Sequence, residues 1–153
     1  MEENSLDARN QLRLSYAVEL ACAKRVWVLI QRGAAEDASL CQFLENQAAQ
    51  RTGRGWFLKR RERRLSGAPG SLLSEPDLAS RVASAFPSLA VPLGECPVNR
   101  EIALHFLECL EVECTAFYRK IASEAGTESL RRCFVALLER EASELLQLRT
   151  MVL

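Results

Sequence analysis

Histidine is almost missing from this chain. Among 153 residues His105 stands alone, six positions before Glu111, so no site that needs two imidazoles can be assembled within it. A Cys/His nucleophile has no support beyond the presence of both residue types. Cysteine occurs at Cys22, Cys41, Cys96, Cys109, Cys114 and Cys133, but never as C-x-x-C, which argues against zinc-ribbon and rubredoxin-type iron sites. Most of these cysteines lie in apolar helical contexts and read as small buried hydrophobes in a reducing compartment. No Gly-x-Gly-x-x-Gly, Walker-type loop or Gly-x-Ser-x-Gly elbow occurs. No apolar run approaches the ~20 residues of a membrane span. The opening Met1-Glu2-Glu3-Asn4-Ser5 lacks the basic-then-apolar order of a signal peptide, and a cytoplasmic protein is expected. Formal net charge is zero, so global charge gives no reason to expect a nucleic-acid or membrane partner. Strand-like alternation is also absent.

What is present is helical period. The length suits one domain spanning residues 1–153. A first helix is expected over about Ser5 to Arg32, capped by Ser5 and ended by Gly33. A second begins near Ala35 and runs to about Gln50; Gly53 and Gly55 weaken it, and it resumes through Trp56 to Arg64. The Ser/Gly/Pro-rich run Ser66–Ser71 then breaks the chain. A short helix is placed between Ser74 and Phe86, with Ser74 as cap and Pro76 in the first turn. Pro87, Pro92 and Pro97 interrupt the segment between that helix and Asn99. Asn99 caps a third long helix that ends before Gly126, and the fourth starts at Thr127. Tight, long, tight connections, with a crossover over about 65–98, predict an all-α four-helix bundle of the ferritin-like arrangement.

Each long helix carries an apolar stripe with a polar interruption. Helix four reads Leu130, Phe134, Leu137, Glu141, Glu144, Leu148, Met151; helix one reads Leu12, Tyr16, Glu19, Ala23, Val26, Ile30. Helix three reads Leu104, Leu107, Glu111, Cys114, Tyr118, Ile121, and helix two Leu40, Phe43, Gln47, Gln50, Arg54, Phe57. Inward carboxylates are costly unless protonated, paired or bound to a cation. Residues three apart share a helix face, so Glu141 with Glu144, and Gln47 with Gln50, can act at one level. A metal held by these groups would be Mn, Fe(II), Ca or Mg rather than zinc or copper.

The segments Leu110–Ala122 and Phe134–Leu145 resemble the third and fourth helices of the rubrerythrin branch of the ferritin-like superfamily. The resemblance implies a metal layer of Glu19, Glu111, Glu141 and Glu144 with Gln47 and Gln50, holding Fe or Mn. It implies peroxide reduction or iron handling, and by analogy a homodimer. This chain departs from the pattern: Glu144 and Gln50 stand at the two histidine positions, Gln47 stands at a glutamate, and the rubredoxin domain is absent. Two readings therefore remain open. One is a rubrerythrin-like, redox-linked protein with a degenerate metal site, in which diiron peroxidase activity is weak. The other is a non-catalytic scaffold or partner-binding module. His105 reads as a helix-face residue. The stretch Arg51 to Arg64, basic and flanked by Trp56 and Phe57, is a candidate for an anionic partner or a solvated helix end.

Overall fold

The computed structural model describes residues 6–32, 37–67, 70–93 and 98–152. The helices are α1 (Ala8–Gln31), α2 (Ala38–Arg64), α3 (Glu75–Ala85), α4 (Arg100–Glu124) and α5 (Glu128–Val152), with a 3-10 turn at Pro87–Ala90. The protein is all-α, and among the described residues there is no β-strand. The caps obey local chemistry. Asp7 accepts from the Asn10 amide at 2.9 Å, Asp37 from Leu40 at 3.0 Å, Asn99 from Ile102 at 2.9 Å, and Thr127 from Leu130 at 3.2 Å. Each supplies one acceptor to amides that have no intrahelical partner. Ser74 caps α3 with Pro76 in its first turn, as the sequence predicts.

Three sequence expectations need correction. α1 is capped by Asp7 and begins at Ala8; Ser5 lies outside the described residues, as do Gly33 and Ala35. α2 starts at Ala38 with Asp37 as cap. It is also one unbroken helix through Gly53 and Gly55. A helix-interior glycine costs only about 1 kcal/mol relative to alanine. Burial of Leu44, Ala48 and Leu58 around the glycines outweighs that.

Cross-helix contacts fix the directions. Arg9 of α1 pairs with Glu62 of α2 at 2.6 Å, while Glu19 reaches Arg51, so α1 and α2 are antiparallel. Glu108 meets Arg149 and Glu111 lies against Glu141, so α4 and α5 are antiparallel too. The Gln11 amide donates to the Glu124 carbonyl, and the Tyr118 hydroxyl donates to Glu19, so α4 runs opposite to α1. α2 therefore ends at the level where α1 begins, and the chain must travel the length of the molecule before α4 can start. The described residues of this connection, 70–93 chief among them, run alongside α1. The connection is held low down by Arg13 donating to the Leu73 carbonyl at 2.6 Å, and high up by the Val98 amide donating to the Arg32 carbonyl at 2.7 Å. Midway, the Ser88 amide donates to Glu113 of α4. Leu78, Val82 and Phe86 enter the core from this crossover.

Asn10, buried in α1, ties the start of the crossover twice: its amide donates to the Ser71 carbonyl at 2.9 Å and its oxygen accepts from the Leu73 amide at 3.0 Å. Asn10→Ala strands both backbone groups and is expected to cost about 1–3 kcal/mol. Chemical denaturation measures the loss, with faster amide exchange at Leu73; an unchanged midpoint would count against this anchor.

A buried layer of carboxylates and guanidiniums

The apolar core is in two parts. One holds Leu14, Val18, Leu44, Phe106 and Leu110 among others; the second holds Leu12, Leu58, Tyr118, Phe134 and Leu137. Between them lies a charged layer to which all four long helices contribute residues three apart. α1 gives Glu19 and Cys22, α4 gives Glu111 and Cys114, α5 gives Glu141 and Glu144, and α2 gives Arg51 and Arg54. All eight are buried.

Arg51 sits at the centre at 1% exposure. Its Nη1 donates to Glu19 Oε2 and Glu141 Oε1, both at 3.2 Å, and its Nη2 to Glu111 Oε1 and to Glu141 Oε2 at 3.4 Å. Arg54 lies one turn on. Its Nη1 donates to Glu144 Oε1 at 2.8 Å, its Nη2 lies 3.3 Å from Glu141 Oε1, and its Nε lies 3.4 Å from Glu19 Oε1. The Tyr118 hydroxyl donates to Glu19 Oε1 at 2.7 Å. Burial, and then the Glu19 charge, push that phenol well above its usual range, so it remains a donor. The thiols of Cys22 and Cys114 face each other at 3.9 Å, and burial raises Cys114 well above the usual thiol range.

The four predicted glutamates thus converge, and one oxygen each from Glu111, Glu141 and Glu144 lies within 4.8 Å of the others, which could hold a metal ion. The same three carboxylates are engaged by the two arginines. The helix-two reading is out of register. Gln47 is buried one turn before Arg51, Gln50 is exposed, and Arg51 and Arg54 occupy the facing positions. Those two arginines also leave the basic stretch: only its later residues are at the surface. The sequence signal was available, because Arg51 and Arg54 repeat the spacing of Glu141 and Glu144. His105 is exposed on α4, away from the layer, with its Nε2 3.9 Å from Cys109 Sγ. The cysteine expectation holds for Cys22, Cys114 and Cys133, which are buried; Cys41 and Cys109 are half-buried, and Cys96 lies outside the described residues.

Charge in the layer does not balance. Four carboxylates against two guanidiniums leave a formal excess of two negative charges, and Glu111 Oε2 is buried without a hydrogen-bond partner. Burial pushes Glu141 up to about 8, with neighbouring Glu111 adding to the rise and Arg51 opposing it. Burial likewise raises Glu144, against the pull of Arg54. No protein-family model, curated protein or solved structure matches the chain. No helix is long and apolar enough to cross a membrane among the described residues.

Glu141 holds a proton in the folded state up to about pH 8, whereas its ordinary carboxyl pKa is 4.5. The folded state therefore binds more protons than the unfolded state between those values, and stability falls as pH rises through that window. One such proton contributes at most about 1.4 kcal/mol per pH unit. Glu141→Gln should flatten the slope between pH 5 and 8 in denaturation curves, and an unchanged slope would remove Glu141 as its source. Arg51→Met should lose about 3–5 kcal/mol, since it leaves four carboxylates facing one remaining guanidinium. A midpoint within about 1 kcal/mol of wild type would mean the layer is not held by Arg51.

Proposed function

We propose that this chain is a non-catalytic, partner-binding helical module with the connectivity of a ferritin-like four-helix bundle. Arg51 and Arg54 stand in it where metal-binding members of that architecture hold cations. The observation that carries this reading is the central position of Arg51, whose two Nη atoms donate to glutamates of α1, α4 and α5. A di-metal centre does not fit this donor set. The layer has no imidazole, and a cation bound among Glu111, Glu141 and Glu144 would lie against guanidiniums already within hydrogen-bond distance of those oxygens. Guanidinium supplies positive charge and directed N–H donors but no exchangeable coordination position and no redox couple. We therefore derive no peroxidase or iron-oxidising step. Partner binding is supported by large apolar side chains left at the surface, among them Trp27, Trp56, Phe57, Ile102 and Leu146.

One observation favours a second reading. The excess negative charge and the close oxygens of Glu111, Glu141 and Glu144 would suit a single hard cation such as Mn(II) or Fe(II). Elemental analysis with thermal melts separates the two. The metal-free reading expects substoichiometric metal in purified protein and no melting shift on adding Mn(II) or Fe(II). Arg51→Ala, which frees the carboxylates, should then acquire a metal-dependent rise. Stoichiometric metal in wild type, with a melting temperature that falls on chelation, would overturn the proposal in favour of the metal-binding protein.

A further inference from the structure

The side of the molecule opposite the crossover is open. α2 and α5 run antiparallel, but the space between them is filled from within by the long side chains of Arg51 and Arg54 rather than by close backbone approach. Outside that layer lies a groove of about 540 Å³. Phe57, Ala136 and Leu137 line it together with the polar side chains of Gln50, Arg54 and Arg140, and Gly53 lies between them. A Cβ added at Gly53 would meet nothing within 4 Å, so the glycine is not there to let a neighbour of this chain approach. In a helix interior it costs about 1 kcal/mol relative to alanine, and stability does not account for it. What it provides is depth. Phe57, beside it, is 44% exposed despite being a large aromatic side chain.

The rim is basic. Phe57, Arg60, Arg61 and Arg64 succeed one another at helical spacing along α2, and Arg132, Ala136 and Arg140 do so along α5. Arg61 donates to Ser129 Oγ at 3.1 Å, which joins the two rows at one end. Arg60, Arg64 and Arg140 form no ion pair with the described residues, and Arg131 and Arg132 share the single carboxylate of Glu128. Glu139 is an exposed acid on the same side, so the arginines outnumber the acids. Arg131 moreover closes the first turn of α5, where the helix dipole disfavours cations. Helix-end stabilisation accounts for arginines at the end of α2 but not for those at the start of α5.

We propose that this groove is the docking site for an acidic amphipathic segment of a partner protein. The segment lays its apolar face on the exposed Phe57 and Ala136, and its carboxylates meet Arg140 and the arginines Arg60, Arg64 and Arg132 that continue the groove. This deepens the partner-binding reading and rests on it. Apolar Phe57 and Ala136 followed along each helix by arginines fit apolar side chains accompanied by carboxylates, the helix-in-groove mode of recognition. Arginine suits those carboxylates because its planar fork can bind them bidentately.

The test uses the full chain and a labelled synthetic helix of about 15 residues with a leucine stripe flanked by glutamates. Three further probes accompany it: the same stripe flanked by lysines, a single-stranded oligothymidine, and phosphatidylcholine vesicles containing phosphatidylserine. Fluorescence anisotropy should give at least about tenfold tighter binding of the acidic helix than of the basic one, weakening as salt rises. Gly53→Leu, which fills open space, should reduce that affinity at least about tenfold while melting no lower than wild type. The pair Arg60→Glu with Arg132→Glu should do the same through charge. The proposal is overturned if acidic and basic helices bind alike, or if Gly53→Leu leaves affinity unchanged. Preference for the oligonucleotide or the vesicles overturns it towards those partners. A concentration-dependent dimer abolished by Gly53→Leu in sedimentation overturns it in favour of a second copy of this chain. A metal-free protein that ignores the acidic helix rejects this groove alone, whereas stoichiometric metal with chelation-sensitive melting rejects the partner-binding reading beneath it.

Discussion

One guanidinium, that of Arg51, holds the centre of this protein. It donates to carboxylates on three other helices, and it does so at 1% exposure. Ionised groups taken that far out of water cost several kcal/mol each, and only close, directed pairing offsets the cost. The arrangement therefore constrains all four long helices at once. If α2 rotates or slides by a residue, Arg51 and Arg54 leave Glu19, Glu111, Glu141 and Glu144 without guanidinium partners. The apolar layers above and below tolerate more, because leucine meets leucine in many registers. The charged layer gives the packing its register, and the two apolar halves of the core supply most of the burial.

The same layer limits the chemistry. Carboxylates from several helices at one level form a site where a hard cation could be held. Guanidiniums occupying the centre convert that concentration of negative charge into a fixed hydrogen-bond network. Tyr118 donates into it, and the Cys22–Cys114 contact flanks it as an uncharged pair one turn away. Part of the excess charge is absorbed as a proton, because burial and the facing Glu111 raise the carboxyl of Glu141. A proton on Glu141 offsets one of the two excess negative charges.

The crossover makes the molecule asymmetric. Its described residues 70–93 lie along α1 and reach α4 through Ser88 and Glu113, so that side of the helices is covered. Nothing comparable lies over α2 and α5 among the described residues. The arginines that pair inward are on α2, and so are those that face outward. Arg51 and Arg54 close the interior from the same helix whose next two turns present Arg60 and Arg64 to solvent. α2 is held in place by its ion pairs and by its close packing on α1.

Much of this was legible in the chain itself. The apolar periods place the four long helices, and Asn99, Thr127 and Ser74 mark helix starts because a side-chain oxygen there satisfies an amide the helix cannot. Glu19, Glu111, Glu141 and Glu144 interrupt otherwise apolar stripes, and that alone points them inward. α2 was different. Between the buried Leu44 and Leu58 its sequence is largely polar, so Gln47 with Gln50 and Arg51 with Arg54 offered two inward pairs at the same spacing, and period could not choose between them. The tertiary structure chose the arginines. Four carboxylates at one level demand positive charge, which an amide cannot supply, and the arginine side chain is long enough to carry that charge from the helix surface to the centre of the layer.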